Sequence, residues 1–280
     1  MFVETVGALS TGVSVFEISS KVFPTFNKIF KRIKDGDLKV AIFGAGGTGK
    51  TTLGKILAGE YEFTGLPGYQ ESIRMEQYKL DSNVVGSIIV APGQERREDT
   101  WDDLLRNLMA GKVKLIIHVV AWGHHSFGSL SYKQHKLYRS GMSLPDFVAV
   151  YTAERQRREL DVLRKLDPHV SIANQKKTIM ITLVTKQDIW WNDRNQVRQH
   201  YEQNEYDQII QGIRNKIGTS NFIHEYCSTS LVMDNFTSGV NELLVPTTAG
   251  YDQRLKSVNF RAFLNTIEKL FNISLNAQEV

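Results

Sequence analysis

The eight residues 44-GAGGTGKT-51 constrain the fold of this chain more than any other stretch. They satisfy the pattern G-x-x-x-x-G-K-[ST], directly after an apolar run, 38-LKVAIF-43, and directly before a helical stretch from about Lys50 to Gly59. Strand, glycine-rich turn and helix in that order make a phosphate loop. Glycines let the backbone bend until successive N–H groups point at phosphate oxygens, and the start of the helix adds partial positive charge. Gly44, Ala45, Gly46, Gly47, Thr48, Gly49, Lys50, Thr51 and Thr52 are therefore expected to cradle phosphate. Lys50 would act as a point charge on the outer phosphates, and Thr51 would give its hydroxyl to magnesium.

The remaining pattern supplies a sheet for this loop to sit on. Strands are expected near 73–80, 84–91, 113–122, 178–185 and 221–227, and helices near 99–110, 151–166, 195–217 and 258–272. This alternation predicts a three-layer α/β/α domain over residues 37–280, with a mainly parallel sheet covered on both faces. Segments 123–150 and 231–257 read as insertions. Pro168 is expected to end the helix at 151–166, where Arg155, Arg157, Arg158, Arg164 and Lys165 interleave with Glu154, Glu159 and Asp161 as a solvated face.

Residues 1–36 read as a separate N-terminal amphipathic helical extension. Phe2, Val6, Leu9, Val13 and Phe16 recur at helical spacing, followed by Val22, Phe26, Ile29 and Ile33, with Pro24 separating or kinking the two pieces. Lys21, Lys28, Lys31, Arg32 and Lys34 make the second piece basic. Two roles are open for it: an extra helix packed on the domain, or a surface that meets a membrane or a partner.

Composition limits the function classes. With 41% hydrophobic and 23% charged residues, a normal core is expected. A net charge of +4 suits phosphate-bearing ligands but lacks the dense basic stripe of a nucleic-acid binder, so no nucleic-acid partner is expected. Cys227 is the single cysteine, which points to a reducing, cytoplasmic setting; a peripheral place at the inner membrane face goes with the second role for the basic helix. No apolar run reaches the roughly 18 residues of a membrane span, and Glu4 with spaced apolar residues argues against a signal peptide.

A phosphate loop does not name the base, and 185-TKQD-188 addresses that. It follows an apolar strand, so it emerges at the sheet edge that carries the phosphate loop. A carboxylate at Asp188 can accept from the N1–H and N2–H₂ of guanine, a donor pair that adenine lacks. Lys186 can lay its aliphatic stem on a purine face. Thr185 opens the loop with a polar tether, and 227-CSTS-230 offers backbone N–H groups, at Ser228 and Thr229, to a base carbonyl.

With 44-GAGGTGKT-51, 93-GQE-95, 185-TKQD-188 and 228-STS-230 in this order, the chain resembles the Ras-like small GTPases over roughly residues 38–272. The resemblance implies a Ras-like G domain that binds GTP and GDP with Mg²⁺, turns over slowly and is read by a protein effector or activator. It implies that Gln94 orients the attacking water, that the Gly93 N–H senses the γ-phosphate and that Asp188 reads guanine. Thr64, with Ser72 as alternate, is the expected switch residue on the metal. Val90 stands where the family usually carries an aspartate that holds the metal through water. A similar Pro-Gly-Gln turn without that aspartate occurs in some prokaryotic Ras-like GTPases, including the gliding-motility polarity type. The lost contact is a water-mediated one, whereas Thr51 and phosphate oxygens touch the metal directly.

Arg96 and Arg97 follow Gln94 and read as solvated charges or as a source of positive charge for the transferring phosphoryl group. His118, His124, His125 and His135 read as structural, and Trp190 and Trp191 as packing residues. Two other functions stay open: a non-catalytic nucleotide-binding module, and a P-loop ATPase or kinase in which TKQD is coincidental.

Overall fold

In the computed structural model, residues 23–35, 37–58, 76–79, 87–90, 113–172 and 178–276 are described. Helix α1 (Phe23–Lys34) leads into strand β1 (Leu38–Phe43), the glycine-rich turn and helix α2 (Lys50–Leu57). Strands β2 (Glu76–Lys79), β3 (Ser87–Val90) and β4 (Val113–Val120) come next in the chain, then helix α3 (Leu144–Ile172) and strand β5 (Thr178–Val184). Three helices succeed them: α4 (Gln187–Trp190), α5 (Arg194–Glu202) and α6 (Glu205–Ile217). Strand β6 (Phe222–Ser228), a hairpin of β7 (Phe236–Thr237) and β8 (Leu243–Val245), and helix α7 (Gln253–Asn276) complete the chain.

The main sheet has six strands in the order β2-β3-β1-β4-β5-β6, parallel except for the β2 edge. This is the three-layer α/β/α architecture with a mainly parallel sheet expected from the sequence. Strand alternation splits its core in two. Val40 and Ile42 of β1, Leu115, Ile117 and Val119 of β4, and Ile179, Ile181 and Leu183 of β5 pack under α1, α2 and α7. Ala41, Phe43, Ile116, Val120, Met180 and Val184 face α3, α5 and α6. A sheet apolar on both faces has no solvated side, which is why its central strands read as continuous apolar runs.

Helix α1 belongs to this core. Phe26, Ile29 and Ile33 are 1%, 2% and 0% exposed and sit among Phe260, Phe263, Leu264, Ile267 and Phe271 of α7. Two of the basic side chains line the same seam: Lys28 pairs with Glu268, and the Arg32 guanidinium lies 4.0 Å from the centre of the Phe271 ring. Of the two roles open to this helix, the packed one is realised over residues 23–34. A lipid-facing role would need an apolar face that is already covered. Among the described residues no helix is long and apolar enough to cross a membrane. Ile33→Val, which removes one buried methylene, is expected to destabilise the fold by about 0.5–1.5 kcal/mol in denaturant unfolding.

Several boundaries differ from expectation. Helix α3 runs 29 residues from Leu144, taking in the end of the segment read as a loop, and continues past Pro168. Its start is set by Ser143, whose Oγ accepts from the Asp146 N–H at 3.3 Å while donating to the Asp146 carboxylate. Pro168 removes one N–H donor, but Leu163 and Leu166, both fully buried, hold the adjoining turns. The helix expected at 195–217 breaks at Gln203-Asn204 into α5 and α6. The helix expected at 99–110 and the N-terminal stretch 2–22 lie outside the described residues.

Candidate functional site

Because β1, β4, β5 and β6 are parallel neighbours, the loops after them emerge together at one sheet edge. The loop after β1 adopts the expected bend, with Gly44, Gly47 and Gly49 at φ 148°, 78° and 98°. Two of these positions also lack room for a side chain: a Cβ on Gly44 would meet the Val119 carbonyl oxygen at 2.2 Å, and one on Gly47 the Ser126 nitrogen at 2.6 Å. Thr48 Oγ1 donates to the Ala45 carbonyl at 3.0 Å, and Lys50 Nζ to the same oxygen at 2.7 Å. Lys50 is 7% exposed, so its ammonium already lies within the bend. Gly49 precedes the first turn of α2, which contains Thr51 and Thr52, both half-buried.

The loop after β5 meets the first loop directly. Thr185 Oγ1 lies 2.7 Å from the Thr48 carbonyl and 3.0 Å from the Val120 carbonyl, so one hydroxyl ties the loop after β5 to the glycine-rich loop and to β4. Lys186 turns the chain at φ 56° and donates from Nζ to Ser126 Oγ at 3.2 Å, with its ammonium 5.5 Å from the centre of the Phe236 ring. Burial pulls its pKa down to about 8. Trp190 is a packing residue that also braces this loop, its Nε1–H donating to the Thr185 carbonyl at 2.8 Å.

Asp188 is 1% exposed. Its Oδ1 accepts from Ser230 Oγ, its Oδ2 accepts from the Asp234 N–H at 3.1 Å, and its own N–H donates to Ser230 Oγ at 2.8 Å. Burial pushes its pKa up, against the pull of Ser230 and the Asp234 N–H. An ionised carboxylate has about four acceptor sites, so two further donors can still be received.

Thr48, Gly49 and Thr52 share one cavity of about 600 Å³ with Thr185, Lys186 and Asp188. Ser126 to Ser129, and Phe236 to Gly239 with Asn241, from the two inserted segments, form its roof. The roof halves are joined: the Gly239 N–H donates to the Leu130 carbonyl at 3.0 Å, and a Cβ on Gly239 would lie 1.8 Å from the Gly128 oxygen. Glu242 latches them, accepting from Ser131 Oγ at 2.9 Å, from the Tyr132 N–H at 3.1 Å and from Ser238 Oγ at 2.8 Å.

Two expected residues take other positions. Ser228 faces away from this cavity, accepting from Gln187 Nε2 at 2.9 Å beside Trp190 and Tyr226. Thr229 is fully buried and its N–H donates to the Val184 carbonyl at 3.0 Å, so that donor is not free for a base carbonyl. The residue of 228-STS-230 that reaches the loop after β5 is Ser230, which lies two residues beyond the end of β6. Ser126 and Phe236, from segments read as insertions, carried no sequence signal for this role.

Thr64, Ser72, Gly93, Gln94, Arg96 and Arg97 lie outside the described residues. The Val90 backbone pairs with Ile42 and Glu76. Among the described residues no three His, Cys, Asp or Glu side chains gather into a metal centre. Thr51, half-buried in the first turn of α2, is the residue that could supply a hydroxyl. One protein hydroxyl completed by phosphate and water oxygens suits magnesium, a hard cation that keeps much of its hydration, so the residues fit that ion.

No protein-family model matches the sequence, and no curated protein matches it. Solved structures similar to it include the mammalian SRP receptor, at 19% identity over 69% of this chain and 91% of that one with a TM-score of 0.38. The signal recognition particle receptor complex of Chaetomium thermophilum is similar at 14% identity over 70% and 92%, TM-score 0.36. A small COPII coat GTPase SAR1 from Encephalitozoon cuniculi, in complex with GDP, is similar at 12% identity over 90% and 92%, TM-score 0.36. Values this low assign the chain neither a family nor an activity; its ligand has to be read from its own loops.

Proposed function

We propose that this chain binds guanine nucleotides and hydrolyses GTP to GDP with Mg²⁺, acting as a switch read by a protein effector or activator. The observation that carries this reading is the shared cavity. A phosphate loop opens at one end, a buried carboxylate with spare acceptor capacity stands at the other, and the Thr185 hydroxyl fixes the two relative to each other.

In this reading, the N–H groups of residues 44–49 and the Lys50 ammonium hold the phosphates. Asp188 accepts from the N1–H and N2–H₂ of guanine, with the Lys186 stem against the purine. Thr51 would hold magnesium, which when bound neutralises charge on the outer phosphates. By the resemblance, Gln94 would orient the attacking water, the Gly93 N–H would sense the γ-phosphate, and Thr64 would supply a second hydroxyl to the metal. Contacts of Thr64 and Gln94 with γ-phosphate would make the two nucleotide states distinguishable to a partner.

The test is competition. A fluorescent GDP analogue bound to the purified chain should be displaced by GTP and GDP at similar concentrations, and by ATP only at concentrations larger by about 10⁴-fold. Equal displacement by ATP would remove the guanine assignment. The roof gives a second expectation. Glu242→Gln weakens the latch between the two inserted segments and should speed release of the analogue by about three- to tenfold without changing the preference for GTP over ATP, read by stopped-flow fluorescence.

A further inference from the structure

Helix α3 carries one fully buried carboxylate, Glu159, which is 0% exposed and stands beneath the turn after β4. Its Oε1 accepts from the Ala121 N–H at 2.8 Å, the Gly123 N–H at 3.3 Å and His125 Nε2 at 2.8 Å. Its Oε2 accepts from the Tyr201 hydroxyl at 2.6 Å, and the Trp122 N–H donates to that hydroxyl at 3.0 Å. One side chain thus holds residues 121, 122, 123 and 125, three of them directly.

The nucleotide cavity begins directly beyond this turn. The Ser126 N–H donates to the Gly47 carbonyl at 3.0 Å, and Ser126 Oγ accepts from Lys186 Nζ at 3.2 Å. Ser126 therefore touches the phosphate loop with its backbone and the base loop with its side chain. The turn itself is tight. Trp122 stands at φ 47°, unusual for so bulky a residue, and a Cβ on Gly123 would come within 2.3 Å of the Thr152 carbonyl oxygen. Such a conformation persists only where its surroundings hold it.

The electrostatics suit a fixed anchor. Burial pushes the Glu159 carboxyl up, but hydrogen bonds from His125, Tyr201 and the Ala121 N–H outweigh it and hold it below the usual value. Burial keeps His125 neutral in spite of the carboxylate, so Nε2 carries the proton it donates and Nδ1 is left without a partner. An apolar residue at 159 would orphan two buried backbone donors, a histidine and a tyrosine hydroxyl at once.

We propose that Glu159 is a positioning residue for nucleotide binding, which through the 121–126 turn and Ser126 sets the spacing between the phosphate loop and the base loop. This rests on the function proposed above. A purely architectural Glu159 would affect folding alone; a positioning Glu159 also governs how tightly nucleotide is held by molecules that are folded.

The test measures release of the fluorescent GDP analogue per folded molecule, alongside thermal unfolding, in Glu159→Gln, Ser126→Ala and the double variant. Glu159→Gln should release the analogue about tenfold faster while keeping the preference for GTP over ATP. Ser126→Ala should also speed release, and should add little in the Glu159→Gln background, because both substitutions cut one relay. Should Glu159→Gln fail to fold, Tyr201→Phe removes only the bridging hydroxyl and keeps the ring; release about threefold faster is then expected. Unchanged release from folded Glu159→Gln or Tyr201→Phe, or strictly additive effects of Glu159→Gln and Ser126→Ala, would overturn the positioning role alone. A parent protein that holds no guanine nucleotide would overturn the function and this role together.

Discussion

Asp188→Ala is expected to weaken GTP binding by about 2–4 kcal/mol, roughly 30- to 1,000-fold, because two guanine donors would be buried without an acceptor. ATP, which offers no such donor pair, should bind as weakly as before. The carboxylate is 1% exposed and is held at both oxygens, by Ser230 Oγ and by the Asp234 N–H, so it is oriented before any ligand arrives. Alanine also strands those two protein donors, and loss of binding alone would not separate lost recognition from a disturbed loop. Asp188→Asn separates them. An amide presents one acceptor and one donor, which matches the N1–H and C2 carbonyl of xanthine. That variant should lose GTP and gain xanthosine triphosphate, measured by isothermal titration. Loss of both would mean a collapsed pocket. Undiminished GTP binding in either variant would show that Asp188 does not read the base.

Acid should mimic the alanine. Burial raises the Asp188 pKa above its ordinary 3.8, so the carboxylate takes up its proton at a higher pH than a solvated aspartate would. A protonated carboxyl loses one of the two acceptors that guanine needs. GTP affinity is therefore expected to fall on acidification at a higher pH than that at which a solvated aspartate titrates, while the weak affinity for ATP stays flat.

Lys50→Met should have an effect of similar size on a different part of the ligand. The Lys50 ammonium already rests inside the phosphate loop, 2.7 Å from the Ala45 carbonyl. Binding triphosphate exchanges a neutral acceptor for an anionic one with little movement. A hydrogen bond to a charged group contributes about 1.5–3 kcal/mol, and a charge aimed at a reacting phosphoryl group about 10²–10³ in turnover. Methionine keeps the stem and removes the charge, so the thermal transition should move little while GTP turnover drops by that factor. Equal turnover in parent and variant would mean that phosphate is held elsewhere.

The parts of this site that were legible in the sequence are those where chemistry requires a particular backbone. Gly44, Gly47 and Gly49 mark a bend that only glycine tolerates at two of these positions, and the observed torsions agree. Thr185 was legible as a tether because any hydroxyl at a strand end beside the phosphate loop finds a carbonyl there. Glu159 was not. It stands among Arg155, Arg157, Arg158 and Asp161, and charge density reads as solvent exposure. Its position relative to Tyr151, Leu163 and Leu166, all buried on α3, held the opposite message, since steps of three and four place them on one face. Periodicity outweighs local charge once a helix crosses a core. Ser230 was missed in favour of Ser228 because it lies two residues beyond the end of β6, where strand alternation no longer dictates which way a side chain points. The roof was missed for a third reason: Gly239 and Glu242 are joined to Gly128, Leu130, Ser131 and Tyr132, more than a hundred residues earlier, and contacts of that range leave no local pattern.

The central claim is that a chain with Val90 in place of a metal-holding aspartate still hydrolyses GTP. Its most direct test is to incubate the purified protein with Mg²⁺ and equal amounts of GTP and ATP and to track all four nucleotides by chromatography. Conversion of GTP to GDP with ATP untouched is the predicted result. Consumption of ATP, or survival of both nucleotides over many hours, would contradict it.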